Sequence, residues 1–255
     1  MSDPRCSTDY PRRHFATVRR HSPEGCVLSI CTGMGLMDRA FMDAGFDIAP
    51  GCEIDPEMRA MYAALCGTRH HLTQDLADLI DFVRGKSYRG IIGGPPCQAN
   101  TRLKSIRAPR FPDLTPLVSR LLEVVTCDWY VLENVRPLAI SGARHCRLDA
   151  MHYYKPHQSR SRWFTYQGVL APPPRYHGDV DELRAYPVVA GRIYGPRRGA
   201  WLQGYKAAAR LPFPCVTLQK GLANAVPYPV GLAWAEEARR LESAKTERQT
   251  TCLLP

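Results

Sequence analysis

At 255 residues, with 45% hydrophobic residues and a formal net charge of +10, the chain is long enough to bury a full core and basic enough to favour an anionic partner such as nucleic acid. No apolar run approaches the ~18 residues that a bilayer-spanning helix needs, and the N-terminus carries no apolar signal segment. The ten cysteines form no C-x-x-C pair and no His/Cys ligand spacing; that argues against a zinc site or a disulfide framework and suits a reducing cytoplasm.

Residues 1–24 carry Arg5, Arg12, Arg13, Arg19 and Arg20 among prolines and serines with no apolar periodicity, and read as a flexible basic arm. From Gly25 the pattern alternates. Val27 to Cys31 reads as a buried strand, followed by a helix with Leu36, Met37, Ala40, Phe41 and Ala44 in phase. Ile48 to Glu53 is a second strand, and Pro56 to Cys66 a helix with proline in its first turn. Gly90 to Ile92 is a third strand, Leu114 to Thr126 a helix with Leu117, Leu121, Leu122 and Val125 on one face, and Trp129 to Leu132 a further strand. Strands alternating with helices predict an α/β fold with a doubly wound, mostly parallel sheet over residues 25–165. Residues 166–196, with Pro172, Pro173, Pro174 and Tyr176, read as a small irregular insert. Residues 197–255 read as a segment returning to the main domain, with an amphipathic helix from Val230 to Leu241.

The most informative segment is Gly93-Gly94-Pro95-Pro96-Cys97-Gln98. Its prolines fix the backbone and its glycines allow close approach of a ligand. Cys97 is thus held rigidly past the carboxyl end of a parallel strand, where open α/β sheets bind ligands. Most free cysteines are small buried hydrophobes, so position rather than residue type marks Cys97 as a nucleophile. Cys31-Thr32-Gly33-Met34-Gly35 forms a glycine turn ahead of a helix, and Glu53 follows about twenty residues later at the end of the second strand. Together they predict an adenosine-containing cofactor whose ribose hydroxyls donate to Glu53; singly, each is also what an ordinary α/β protein shows. Glu133, ahead of Asn134 and Val135, stands at the same sheet edge as Cys97 and can exchange a proton or read a base edge. Gln158, Arg160 and Arg162 alternate ahead of Trp163. On a strand this sets them on one face, to grip phosphate or carbonyl oxygen, although a merely charged edge strand has the same pattern.

These segments, in this order, resemble the DNA cytosine carbon-5 methyltransferases. Gly93 to Gln98 matches that family's nucleophile loop, Glu133-Asn134-Val135 its glutamate tripeptide, and Gln158-x-Arg160-x-Arg162 its arginine motif. Leu202-Gln203-Gly204-Tyr205 and Asn224-Ala225-Val226-Pro227 resemble its two C-terminal motifs, so the likeness runs over about residues 26–235. It implies a Rossmann-like fold using S-adenosylmethionine, with a catalytic and cofactor-binding domain over 25–165 and a target-recognition insert over 166–196. It implies that Cys97 adds to carbon 6 of a flipped-out cytosine, that Glu133 holds N3 and the exocyclic amine, and that Arg162, supported by Arg160, holds the carbonyl oxygen. Cys31, Gly33, Gly35, Glu53, Ile54, Asp75, Pro95 and Asn224 are the implied cofactor residues. Gln98, Arg102, Lys104, Arg107 and Arg110 are implied DNA contacts on a loop that closes over the base. Cytosine-containing duplex DNA is the implied partner of a monomeric, cytoplasmic enzyme that requires no metal; the motifs act on the base, which leaves RNA open as a substrate.

The sequence departs from the family pattern at Cys31, where phenylalanine is usual, and at Leu36, where a second glycine is. It departs again at Ala223 ahead of Asn224, and at Asn100-Thr101 after the nucleophile loop. These positions surround the one-carbon donor and the loop, so two other readings stand beside methyl transfer: cytosine hydroxymethylation from a methylene-folate, and a catalytically silent DNA-binding homologue. Only about 34 residues, 163–196, are available for target recognition. Each bidentate base contact gives only ~1–3 kcal/mol of discrimination, so a short or relaxed recognition sequence is expected.

Overall fold

Strands that are apolar at consecutive positions are buried on both faces, and such strands need helices on either side. The computed structural model describes residues 25–67, 71–97, 112–154, 159–168, 171–175 and 195–252, with 245–252 described by their backbone alone. The chain runs β1 (Val27–Ile30), α1 (Leu36–Asp43), β2 (Ile48–Cys52), α2 (Pro56–Cys66), α3 (Leu76–Val83), β3 (Ser87–Tyr88), β4 (Gly90–Gly93) and α4 (Thr115–Val124). It continues through β5 (Thr126–Cys127), β6 (Tyr130–Asn134), β7 (Arg144–Asp149), β8 (Ser161–Gln167), α5 (Pro196–Leu202), α6 (Cys215–Asn224) and α7 (Tyr228–Cys252).

Six strands form one sheet in the order β2-β1-β4-β6-β8-β7, while β3 and β5 pair separately. β2, β1, β4 and β6 are parallel to one another, and β8 runs antiparallel between β6 and β7. The predicted α/β architecture with a doubly wound, mostly parallel sheet is therefore present, extended at one edge by an antiparallel pair.

Neighbouring residues of the central strands feed opposite cores. Val27, Ile92 and Val131 pack with Phe41 of α1 and Trp234 of α7, whereas Leu28, Ile91 and Leu132 pack with Leu79 of α3 and Leu121 of α4. At roughly 1.5–3 kcal/mol for each such side chain fully buried, β1, β4 and β6 form a stiff platform, and their carboxyl ends inherit that rigidity. A third cluster, with Met34, Met61 and Leu222 at its centre, joins α2, α5 and α6 to the start of α1.

The predicted helix from Val230 to Leu241 lies in the first half of α7, which packs closely on α1: a Cβ at Gly231 would stand 3.1 Å from that of Ala40. Trp234 lies against Phe164 and Tyr166 of β8, with ring centroids 5.6 and 5.3 Å apart. The helix expected over 114–126 ends at Val124, because Val125 takes an extended backbone and leads into β5. Sequence pattern left α3, β7, α5 and α6 unassigned. In β7, Arg144, His145 and Arg147 are exposed, and this polar edge strand owes its conformation to its ladder with β8. No helix among the described residues is long and apolar enough to cross a membrane.

Candidate active site

β1, β4 and β6 all end on one cavity of about 390 Å³. Gly93 closes β4 against β1, where a Cβ would stand 2.2 Å from the Ile30 carbonyl oxygen. The loop that follows is tied to the end of β6: Asn134 Nδ2 donates to the Pro95 carbonyl at 3.1 Å. A Cβ on Gly94 would face Glu133 Oε2 at 3.5 Å, so the Glu133 carboxylate lies over the nucleophile loop. Cys97 is half-buried at the end of this loop.

Arg162 Nε pairs with Glu133 Oε1 at 2.9 Å. Burial pushes the Glu133 carboxyl up, and the Arg162 and Arg160 guanidiniums oppose it. Burial, and then the Glu133 charge, push the Cys97 thiol up; Arg162 is the strongest opposing influence. The resting thiol is accordingly protonated at neutral pH. Arg160 is buried, and its Nη2 donates to the carbonyls of Ala223 and Ala225 at 2.9 and 3.1 Å, clasping the backbone on either side of Asn224. Burial pushes its guanidinium down to about 10. Gln203 braces the same stretch, donating to the carbonyls of Leu222 and Ala225 and accepting from the Tyr228 N–H through its own backbone.

The glycine turn forms the other wall. Cys31, Gly33 and Gly35 all have positive φ, at 49°, 56° and 89°. A Cβ on Gly35 would strike the Tyr62 ring at 2.6 Å, so α2 can approach the turn only because that residue is glycine. Glu53 accepts from the Gly33 N–H at 2.8 Å and the Asp55 N–H at 2.9 Å, which fastens the end of β2 to the turn. Cys31 stands in hydrogen-bond contact with Cys52, and that contact, ahead of burial, pushes its thiol up. Thr32 Oγ1 meets His71 Nε2 at 2.8 Å, and burial holds that imidazole neutral by pushing it down to about 4. Ile54 is 47% exposed at the rim. Asp75 caps α3, accepting from the Ala77 N–H at 2.7 Å. Lys220 of α6 bridges to Asp55 at 2.6 Å and Glu57 at 2.9 Å, and Asn224 donates back to the Lys220 carbonyl.

Cys97, Glu133, Arg160 and Arg162 line this cavity together with Cys31, Gly33, Gly35, Glu53, Ile54, Asp75, Pro95 and Asn224. Gln98, Arg102, Lys104, Arg107 and Arg110 lie outside the described residues, as does Gln158. Sequence pattern did not single out Asn134 as a tie, nor Asp38, His71 or Lys220 at all. Among the described residues no group of three or more His, Cys, Asp or Glu side chains is placed to hold a metal ion.

Solved structures share the fold. A protein described as a DNA modification methyltransferase encoded within an E. coli prophage matches with a TM-score of 0.64 at 15% identity, over 85% of this chain and 99% of that one. The S. pombe Dnmt2 methyltransferase matches with a TM-score of 0.60 at 15% identity, over 87% and 99%. The class is therefore an α/β, Rossmann-like methyltransferase fold. Residues 26–155, just over half of the chain, match the family model for C-5 cytosine-specific DNA methylase, and the chain belongs to that family. Among curated proteins, the Type II methyltransferase M.NgoPII of Neisseria gonorrhoeae is 31% identical over 81 residues, 32% of this chain. The Type II methyltransferase M.FnuDI of Fusobacterium nucleatum is 30% identical over 116 residues, 43% of this chain. The chain spans 24% and 32% of the length of these two relatives.

Proposed function

We propose that the chain transfers a methyl group from S-adenosylmethionine to carbon 5 of cytosine in DNA, through a transient bond between Cys97 Sγ and carbon 6. The observation that carries this reading is one continuous cavity reaching from the glycine turn and Glu53 to Cys97, Glu133 and Arg162. Family membership and the Type II methyltransferase relatives support it.

The residues present fit the donor. The cavity volume of about 390 Å³ is within the range of small-molecule sites, ~300–1,000 Å³. Among the described residues nothing beyond its chain neighbours stands within 4 Å of where a Gly33 Cβ would be, which leaves the turn open to a ligand. Glu53 keeps lone pairs, beyond those given to Gly33 and Asp55, for ribose hydroxyls. Exposed Ile54 offers an apolar surface, and Asp75 a carboxyl, for the adenine end. The turn from Cys31 to Gly35, Pro95 and Asn224 would bound the rest. When bound, S-adenosylmethionine supplies an electrophilic methyl on a sulfonium.

Carbon 5 of cytosine is a poor nucleophile. The Cys97 thiolate forms a bond to carbon 6 and pushes the ring electrons to carbon 5, which takes the methyl as the methyl–sulfur bond of the donor breaks and leaves a neutral thioether. The carbon-5 proton then passes to water, and the electron pair of that C–H bond re-forms the ring double bond and expels Cys97 as thiolate. Glu133 and Arg162 stabilise the charge that builds on the ring, Glu133 at N3 and the exocyclic amine, Arg162 at the carbonyl oxygen. Their 2.9 Å pairing presents both groups to one edge of the base before it arrives. A proton shared between Glu133 and N3 also withdraws the negative charge that holds the thiol up, so seating the base favours the thiolate. The base has to leave the duplex first, at a cost of roughly a few kcal/mol. Gln98, Arg102, Lys104, Arg107 and Arg110 suit the phosphates flanking it. The small recognition segment suits a short or relaxed target sequence.

The test is incubation with cytosine-containing duplex DNA, and separately with RNA, and methyl-labelled S-adenosylmethionine, with a parallel arm that supplies a methylene-folate instead, beside Cys97→Ala, with mass analysis of the nucleosides. The expected result is 5-methylcytosine with the intact chain and none with the variant. Product formed equally by Cys97→Ala would refute the covalent route; 5-hydroxymethylcytosine, made only with a methylene-folate, would replace the donor; and labelled RNA with unlabelled DNA would replace the substrate.

A further inference from the structure

The ladders that join β6 to β8 and β8 to β7 set Asn134, Trp163 and Arg147 directly opposite one another in a single row. Side chains so placed share one face of a sheet, about 5 Å from neighbour to neighbour. Leu132, two residues before Asn134, packs with α3 and α4, so this is the face turned away from α7. The inner end of the row is fixed to the nucleophile loop, since Asn134 Nδ2 donates to the Pro95 carbonyl. The outer end is exposed Arg147. Between them Trp163 is half-buried, yet it belongs to none of the three hydrophobic clusters formed by the described residues.

Arg147 is oriented but not spent. Its Nε donates to the Ser161 hydroxyl at 2.6 Å, which steadies the guanidinium and leaves both Nη groups, and no acid pairs with it among the described residues. Asp149, on the same face of β7, gives its carboxylate to the N–H groups of Met151 and Arg160 and to the Ser159 hydroxyl. The Ser161 carbonyl accepts from Arg162 Nη1 at 2.9 Å, so a single residue spaces Arg147 from the arginine proposed to hold the base. Arg160 and Arg162 are themselves engaged, by the carbonyls of Ala223 and Ala225 and by Glu133. An unpaired planar fork in this place suits a phosphate, and an indole between that fork and the nucleophile loop suits a stacked base or sugar. We infer that Arg147 and Trp163 seat the DNA strand beside the flipped cytosine, Arg147 taking a backbone phosphate and Trp163 packing on the neighbouring nucleotide. This rests on the DNA methyltransferase reading. Edge strands also carry charge merely to avoid pairing with other chains. Arg144, on the same strand with its guanidinium over the Tyr166 ring of the opposite face, supplies the comparison.

The experiment is binding of a fluorescein-labelled, cytosine-containing duplex by the full chain with S-adenosylhomocysteine present, over a range of salt. Wild type is compared with Arg147→Gln, Arg144→Gln, Trp163→Leu and Trp163→Phe. Arg147→Gln is expected to weaken binding about 3- to 10-fold on every duplex sequence and to lower the slope of log affinity against log salt by about 1. Trp163→Leu is expected to lose about tenfold with the slope unchanged, and Trp163→Phe, which keeps an aromatic ring, to recover most of that loss. Arg144→Gln is expected to match wild type in both affinity and slope. No change in Arg147→Gln, an equal change in Arg144→Gln, or wild-type binding by Trp163→Leu would overturn the assignment while leaving the DNA reading intact. Failure of the wild-type chain to bind DNA at all would overturn the DNA reading and this assignment with it.

Discussion

Cys97 lies between charges of opposite sign, Glu133 pushing its thiol up and Arg162 pulling it down. Single substitutions should therefore move the thiol in opposite directions. With alkylation of Cys97 by iodoacetamide followed by peptide mass, Glu133→Gln is expected to shift the pH midpoint down and Arg162→Gln to shift it up, each by about 0.5–1 pH unit. Shifts of the same sign would mean that the wall does not set the thiol electrostatically. Cys97 and Glu133 were legible in the sequence because each lies at the carboxyl end of a short apolar strand, and period and turn residues locate strand ends. Asn134 and His71 were not legible as ties, since each partner, Pro95 and Thr32, is 39 residues away and only the folded sheet brings the pairs together.

At the scale of elements, the cavity depends on how α6 docks. Gly221 lies in mid-helix, where glycine reads as a breaker, but a Cβ there would meet Met61 Cε at 2.7 Å and Met34 Sδ at 3.1 Å. Its absence lets α6 close on α2, a gain visible only once both helices are placed. Lys220 then fastens α6 to the start of α2 through Asp55, which caps that helix, and Glu57. Lys220→Ala is expected to weaken S-adenosylhomocysteine about 3- to 10-fold, or ~0.7–1.4 kcal/mol, through loss of this fastening. The difference should shrink toward 1 M salt, where the Debye length is about 3 Å. A loss that persists at high salt would point to a packing role instead. α3 was left unassigned although Leu76, Leu79, Ile80 and Val83 stand at helical spacing behind Asp75 as cap, because eight residues give barely two turns of period. β7 had no such pattern, because an edge strand with polar residues carries no alternation to read.

At the scale of the whole molecule, two buried titratable groups make stability depend on pH with opposite signs. Asp38 binds its proton more tightly in the folded chain, about 7 against 3.8, so its contribution is full below pH 4 and is lost as pH rises to 7. At 1.36 kcal/mol for each unit by which the carboxyl is raised, the ionised form costs the fold on the order of 4 kcal/mol above pH 7. His71 binds its proton less tightly, about 4 against 6.5, so its contribution is full above pH 6.5 and is lost as pH falls to 4. Because His71 is only partly buried, that contribution is nearer ~1 kcal/mol. Urea unfolding from pH 4 to 7, each variant read against wild type so that other groups cancel, is expected to show Asp38→Asn more stable at pH 7, with the gain vanishing by pH 4. His71→Gln should gain relative to wild type on acidification. A pH-independent difference for Asp38→Asn would mean that its carboxyl is not buried as the fold requires.

The alternation of apolar strands with amphipathic helices determined the α/β sheet, and the residues at the strand ends determined which side chains meet at its carboxyl edge, because both follow from local period and turn geometry. Where Arg160 spends its hydrogen bonds, which cavity carboxyls meet a cation, and how α6 closes the cavity were decided by the tertiary structure alone. Each depends on the distance between groups far apart in the chain, as with Arg160 and the carbonyls of Ala223 and Ala225, 63 and 65 residues on. Such distances exist only once the sheet and its helices have packed.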